Sequence, residues 1–259
     1  MGSKIKKDLV IGATSQIGRY TSSNNIKIDS SKIDNNIFFE EWNRVYICFA
    51  EQRTSLSKDK NFKDTFYDVN VIKTLKIVDN IKAKKIVFLS TTELWNLCEG
   101  PISLDTKFNF EQNYYTDSKY KITKKMIERD NVVIAYPYNF NSKFRSKYFL
   151  FGKIFHSVNH KQKIEIGNTD FKRELLHAKF VSDKIEKMEN DSVIGAGRLV
   201  HVGNFIKDIY KSKKLEYNEL VKHTAPITSY TKRKENWYSV LDEEYDYSCL
   251  LSQTLAEMK

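Results

Sequence analysis

Tyr115 and Lys119 stand four residues apart in NYYTDSKYKITKKMIE, residues 113–128. On a helix this spacing puts both side chains on one face, within reach of a common substrate. A tyrosine with a pKa near ~10 is a poor acid–base group at neutral pH, but a neighbouring ammonium stabilises the phenolate and brings it towards working range. Tyr120 and Lys124 repeat the spacing in a chain with 15 tyrosines, so spacing alone does not choose between the pairs.

A second segment with chemical potential is LVIGATSQIGRY, residues 9–20, where Gly12 and Gly18 bracket a turn between an apolar strand and a helix start. Backbone N–H groups and the helix dipole at such a turn can hold a pyrophosphate. Ser15 stands where a third glycine is usual and can donate its hydroxyl to a phosphate. The stretch Ile26 to Asp29 offers Asp29 as an acid for a ribose, which favours NAD by repelling a 2′-phosphate. Arg19, Lys32 and Arg53 could neutralise such a phosphate, so NAD and NADP both stay open. A third segment, Leu89–Ser90–Thr91–Thr92, places hydroxyls at the carboxyl end of a strand, where open α/β sheets bind ligands.

The elements that must position these groups follow from hydrophobic patterning. Apolar runs at Leu9–Gly12, Val45–Ala50, Ile86–Ser90 and Val132–Tyr136 predict buried parallel strands. Helical patterns over Phe66–Ile81 and Tyr115–Glu128 separate the later ones. Strand alternating with helix predicts an α/β fold with a Rossmann-type, doubly wound parallel sheet. From about Ser142 the rhythm breaks into a helix near Lys147–Asn159 and strands at Lys163–Ile166 and Leu199–Val202. The expected organisation is a nucleotide-binding domain over residues 1–141 and a smaller C-terminal substrate lobe over 142–259, interleaved with it.

Composition narrows the function classes. A net charge of +10 admits a nucleic-acid binder, but the lysines are scattered and interspersed with acids, which fits a solvated surface with a bias towards anionic small molecules. Cys48, Cys98 and Cys249 show neither CxxC spacing nor a nearby histidine cluster, so neither a metal site nor a disulfide framework is expected. No run approaches 18 apolar residues, and the basic stretch from Lys4 to Lys7 leads directly into a short apolar strand. The expectation is a cytoplasmic protein that engages neither membrane nor nucleic acid.

Several motifs in order resemble one family. VIGATSQIGR resembles the glycine loop of the extended short-chain dehydrogenase/reductases, in their nucleotide-sugar epimerase, dehydratase and reductase branch. FYDVNVIKTLKIVDNIKAKKIVFLSTTELW resembles the next helix and strand, and YYTDSK resembles YxxSK, with Ser118 favouring Tyr115 over Tyr120. AYPYNFNS resembles RPFNVYG, with Tyr136 in place of the arginine; IGNTDFKRELLH resembles GDGxxxRDFIH; and GRLVHVGN resembles the NIG segment.

The resemblance implies roles. Thr91 would hydrogen-bond the reacting oxygen, Tyr115 would exchange the proton, and Lys119 would bind the nicotinamide ribose and lower the tyrosine pKa. Gly12, Thr14, Ser15, Gln16, Ile17, Gly18, Asp29, Ala50 and Asn70 would surround the cofactor. Thr92, Glu93, Asn139 and Arg173 would face the substrate, Arg173 gripping a nucleotide diphosphate, with Lys179, His177 and Arg198 as further candidates for that pocket. Family dehydratases resemble TDE where this chain has Thr91–Thr92–Glu93, and the missing aspartate argues against dehydration. The implied activity is NAD- or NADP-dependent reduction of a 4-keto sugar nucleotide in surface-polysaccharide synthesis. A 4-epimerase with retained NAD and a non-catalytic NAD(P)-binding protein are the alternatives. A homodimer through the helices at 66–81 and 115–128 is also implied.

Overall fold

The apolar runs pair in parallel because strands buried on both faces need side chains without polar demands. In the computed structural model, which describes residues 7–22, 24–226 and 237–259, the strands and helices follow in this order. They are β1 (Leu9–Ile11), α1 (Gln16–Tyr20), β2 (Ile26–Ile28), β3 (Glu41–Ile47), α2 (Lys63–Tyr67), α3 (Thr74–Asn80) and β4 (Lys82–Leu89). Next come β5 (Gly100–Ile102), α4 (Tyr114–Ile127), β6 (Val132–Pro137), β7 (Asn139–Asn141), α5 (Leu150–His160), β8 (Ile164–Ile166), β9 (Lys172–His177) and α6 (Ala178–Lys187). The last are β10 (Ser192–Ile194), β11 (Leu199–His201), α7 (Val202–Ser212), α8 (Tyr217–Leu220), β12 (Val221–His223), β13 (Trp237–Ser239) and α9 (Tyr247–Ala256). Most of the basic stretch that begins at Lys4 lies outside the described residues.

A six-stranded sheet has the order β10-β6-β4-β3-β1-β2, and the pairings among β2, β1, β3, β4 and β6 are all parallel. From β1 the chain goes first to β2 on one side and then to β3 on the other. The switch in direction therefore lies between β1 and β3, and ligands of open α/β sheets bind outside the carboxyl ends of strands at such a point. Gly12 follows β1 there, and Cys48 to Ala50 follow β3.

Two strands start earlier than hydrophobicity suggests. β3 runs from Glu41 and β4 from Lys82, and their polar first halves pair Glu41 with Lys82 and Arg44 with Lys85. Arg44 and Lys85 both form ion pairs with Glu189, so this end of the sheet is held by charge at the surface and carries no apolar signal. The helix expected over Phe66–Ile81 is not continuous: a π-helical turn, Asp68–Lys73, separates α2 from α3. Such turns inside helices are frequent at functional sites.

The described residues divide into two compact units: those within 1–94, 108–137 and 182–192 form one, and those within 95–107, 138–181 and 193–259 the other. In the second unit β9 lies between β7 and β11, parallel to the first and antiparallel to the second. The buried Glu174 of β9 accepts hydrogen bonds from the backbone N–H groups of Ala196, Gly197 and Ser239 and from the Ser239 hydroxyl. Burial pushes its carboxyl above the ordinary range, and these donors oppose the shift. The turn at Gly195 and Gly197 thus closes around one carboxylate.

Candidate active site

The glycine loop is built by steric exclusion. Gly12 has φ +100°, and a Cβ there would meet the Phe49 backbone N at 2.8 Å and the Cys48 backbone C at 2.9 Å. A Cβ on Gly18 would lie 2.3 Å from the Gly12 carbonyl oxygen. Both positions therefore require glycine, the first for its backbone conformation and both for close approach. Ser15 does not need to be glycine. Its φ is −67°, and its hydroxyl caps α1 by accepting the Gly18 N–H at 3.0 Å. Gly18→Ala is expected to cost about 1–3 kcal/mol and to distort the loop that the sequence reading assigns to a dinucleotide, whereas Ser15→Gly should cost only a few tenths. Urea melts with NAD titrations check both variants.

Asp29 follows β2 with its carboxylate already oriented. It accepts hydrogen bonds from the Ser31 N–H at 2.8 Å, the Ser31 hydroxyl at 2.7 Å and the Thr14 hydroxyl at 2.7 Å. These donors, Ser31 foremost, hold its pKa down at about 2. Thr14 thereby joins the glycine loop to the acid after the next strand. Ile17 is buried beneath the loop, Gln16 is half-buried, and Ala50 follows β3 at the same sheet edge.

The tyrosine–lysine helix is fixed at its start. The Asn113 side chain accepts the N–H groups of Tyr115 and Thr116, and the Thr116 hydroxyl accepts the Asn113 N–H. This reciprocal cap sets Tyr115 in the first turn of α4. Tyr115 is buried with its ring edge-on to Phe66, and Lys119 is buried on the same helix face. Tyr120 lies among aromatic rings instead, edge-on to Phe108 at 6.0 Å and tilted against Phe110 at 5.2 Å. The Lys119 Nζ donates to the Leu89 carbonyl at 2.7 Å and lies over the Phe88 ring. Burial lowers its pKa to about 7.

Lys119 thus reaches the last residue of β4, two residues before Thr91. Thr91 accepts the Glu93 N–H at 3.2 Å and keeps its hydroxyl proton to donate. Thr92 turns inward: it is buried, and its hydroxyl donates to the Pro137 carbonyl. Asn70, in the π-helical turn, is 2% exposed. Its amide exchanges hydrogen bonds with the Glu51 backbone and donates to the Ser118 hydroxyl at 2.9 Å. Its side chain braces α4 against the loop after β3, which the sequence pattern alone did not disclose.

In the second unit a separate cavity of about 220 Å³ is lined by Asn139 and Arg173, together with Arg145, Phe149 and Phe171 among others. The Arg173 guanidinium lies over the Phe171 ring at 4.8 Å, and that of Arg145 over Phe149 at 3.8 Å. Two arginines and aromatic rings suit an anionic group joined to a flat ring. The volume is below the usual 300 to 1,000 Å³ of a small-molecule site, so the cavity has room for no more than part of a sugar-nucleotide-sized molecule. Arg145 was not singled out by the sequence, because no spacing links it to Arg173.

Three further candidates from the sequence, His177, Lys179 and Arg198, do not line this cavity. His177 is buried, accepting the Lys179 N–H on Nδ1 and bonding Glu257 through Nε2, and burial pushes its pKa down to about 4. Lys179 and Arg198 are exposed. No helix among the described residues is long and apolar enough to cross a membrane, and among them no cluster of three or more His, Cys, Asp or Glu residues could hold a metal ion.

No protein-family profile matches the chain, and no curated protein does. Solved structures do. One is the UDP-N-acetylglucosamine 4-epimerase from Methanobrevibacter ruminantium M1 in complex with UDP-N-acetylmuramic acid, 13% identical, with a TM-score of 0.74 over 98% of each chain. A second is the UDP-glucuronic acid 4-epimerase from Bacillus cereus in complex with UDP-glucuronic acid and NAD, 15% identical, with a TM-score of 0.74 over 97% of each chain. A third is RMD from Pseudomonas aeruginosa complexed with NADPH, 12% identical, with a TM-score of 0.73 over 97% of this chain and 98% of that one. The likeness is one of fold, and it agrees with the Rossmann-type α/β fold that the resemblance to the extended short-chain dehydrogenase/reductases implies.

Proposed function

We propose that this protein is a nicotinamide-dependent oxidoreductase of the extended short-chain dehydrogenase/reductase family, reducing a 4-keto sugar nucleotide in surface-polysaccharide synthesis. The observation that carries the reading is the pairing of Tyr115 with Lys119 on one buried face of α4, with Lys119 anchored to the end of the strand that leads to Thr91. The loop fits a dinucleotide: Gly12 and Gly18 leave no room for a Cβ, and Asp29 is held ionised at the end of β2. That carboxylate can accept from ribose hydroxyls and repels a 2′-phosphate, which supports NAD over NADP.

When bound, the nicotinamide supplies the hydride. Thr91 donates its hydroxyl proton in a hydrogen bond to the carbonyl oxygen, polarising it. Tyr115 transfers its phenolic proton to that oxygen as the alcohol forms, and Lys119 steadies the phenolate left behind. Arg173, with Arg145 beside the same cavity, binds the nucleotide diphosphate. Glu93 and Asn139 face the sugar. Exposed Tyr67, Ile72 and Ile127 on the segment from α2 to α3 and on α4 support pairing of two copies through these helices. A monomeric mass by light scattering contradicts the pairing.

Two of the structures that share this fold are 4-epimerases, which keeps that reaction as the second reading. Mass spectrometry of nucleotides released from the denatured protein separates the two. A reductase exchanges its cofactor and consumes NADH or NADPH with a ketosugar nucleotide. Stoichiometric retained NAD with no net consumption overturns the reductase in favour of the epimerase.

A further inference from the structure

Thr123 lies one turn beyond Lys119 and two beyond Tyr115, on the same face of α4, and is 0% exposed. A helical threonine ordinarily turns its hydroxyl back to a carbonyl in the preceding turn. Here the Thr123 Oγ1 meets the Ser90 Oγ at 2.6 Å, a contact in which either group can donate. Ser90, 6% exposed, directly precedes Thr91, and its N–H is fixed on the Ala135 carbonyl of β6 at 2.8 Å. With the Lys119–Leu89 contact, α4 is tied to the end of β4 at two levels. A valine would fill the Thr123 site with less polar demand, so the buried hydroxyl is there for a directional bond.

We infer that the Ser90–Thr123 hydroxyl pair is a positioning device that sets the register of Tyr115 and Lys119 on α4 against Thr91 at the end of β4. The inference rests on the proposed oxidoreductase reading. Neither residue touches the reacting atoms; they act through the strand end and helix that carry them. Displacements of about 1 Å at a reacting centre can cost ~100-fold in rate. A partly slackened tie is therefore expected to lower kcat roughly 10-fold, with little effect on binding.

The test compares Thr123→Val, Thr123→Ser and Ser90→Ala with the unaltered protein, using NADH and a turned-over 4-keto sugar nucleotide. Thr123→Val is expected to lose about 10-fold in kcat, with KM and the NAD Kd within about 2-fold, and Thr123→Ser to recover most of the loss. Amide hydrogen exchange over residues 114–127 should quicken in Thr123→Val and not in Thr123→Ser. If Thr123→Val does not fold, Ser90→Ala carries the same readout. An unchanged kcat in Thr123→Val, or equal losses in the valine and serine variants, overturns the inference alone. An unaltered protein that turns over no sugar nucleotide overturns the oxidoreductase reading, and this inference with it.

Discussion

Tyr115→Phe is expected to lower turnover of the ketosugar nucleotide by about 10³-fold, while NAD binding stays within about 2-fold of the unaltered protein. Only the phenolic oxygen is removed. The ring keeps its edge contact with Phe66, and the Asn113 cap acts on the backbone, so α4 should keep its place. Tyr120→Phe is the control: its ring lies among Phe108 and Phe110, and the substitution should leave kcat unchanged. Steady-state kinetics with fluorescence titration of NADH decide the matter. Full activity in Tyr115→Phe would sink the assignment, and an equal loss in Tyr120→Phe would show that α4 had been mispositioned instead.

Lys119→Met should do two opposite things. In the proposed mechanism it removes the group assigned to steady the tyrosinate, so activity should fall by about 10²-fold or more. It also removes a buried cation, so the cofactor-free protein is expected to gain on the order of 2–3 kcal/mol at pH 7. The sign follows from proton binding. Lys119 has a pKa of about 7 in the folded chain against 10.5 ordinarily, so between those values the unfolded chain binds more protons and stability rises with pH. This contribution is complete above pH 10.5 and is lost as pH falls to about 7. Lys119→Met should therefore flatten that part of the stability curve. Urea melts at pH 7 and pH 10 measure it, and a methionine variant less stable than the parent at pH 7 would contradict the assignment.

Much of this was legible in the sequence, for reasons that differ residue by residue. Leu9–Ile11 and Val132–Pro137 are buried along their length, so their apolar runs marked the strands directly. The first halves of β3 and β4 were hidden because the Arg44 and Lys85 pairings with Glu189 leave no hydrophobic trace. Gly12 and Gly18 were readable because only glycine tolerates their close contacts, whereas Ser15, which looked like a departure, sits at negative φ and caps a helix. The π-helical turn at Asp68–Lys73 was not readable, since α and π turns share nearly the same apolar spacing. Contacts between distant residues were hidden for a general reason: Asn70 with Ser118, Ser90 with Thr123 and Arg145 beside Arg173 join positions that only the fold brings together. The partners of His177 were hidden for the same reason: its ring meets Glu257, eighty residues away, in a buried contact that no motif spacing records.

The most direct test of the oxidoreductase reading is a screen of UDP-, GDP-, CDP- and dTDP-linked 4-keto sugars with NADH and NADPH, followed at the nicotinamide absorbance, with Tyr115→Phe run alongside. The account predicts cofactor oxidation with at least one sugar nucleotide, faster with NADH because Asp29 stands ionised after β2, and lost in the phenylalanine variant. Failure of the protein to bind either nicotinamide nucleotide at millimolar concentration, or oxidation that persists undiminished in Tyr115→Phe, would contradict it.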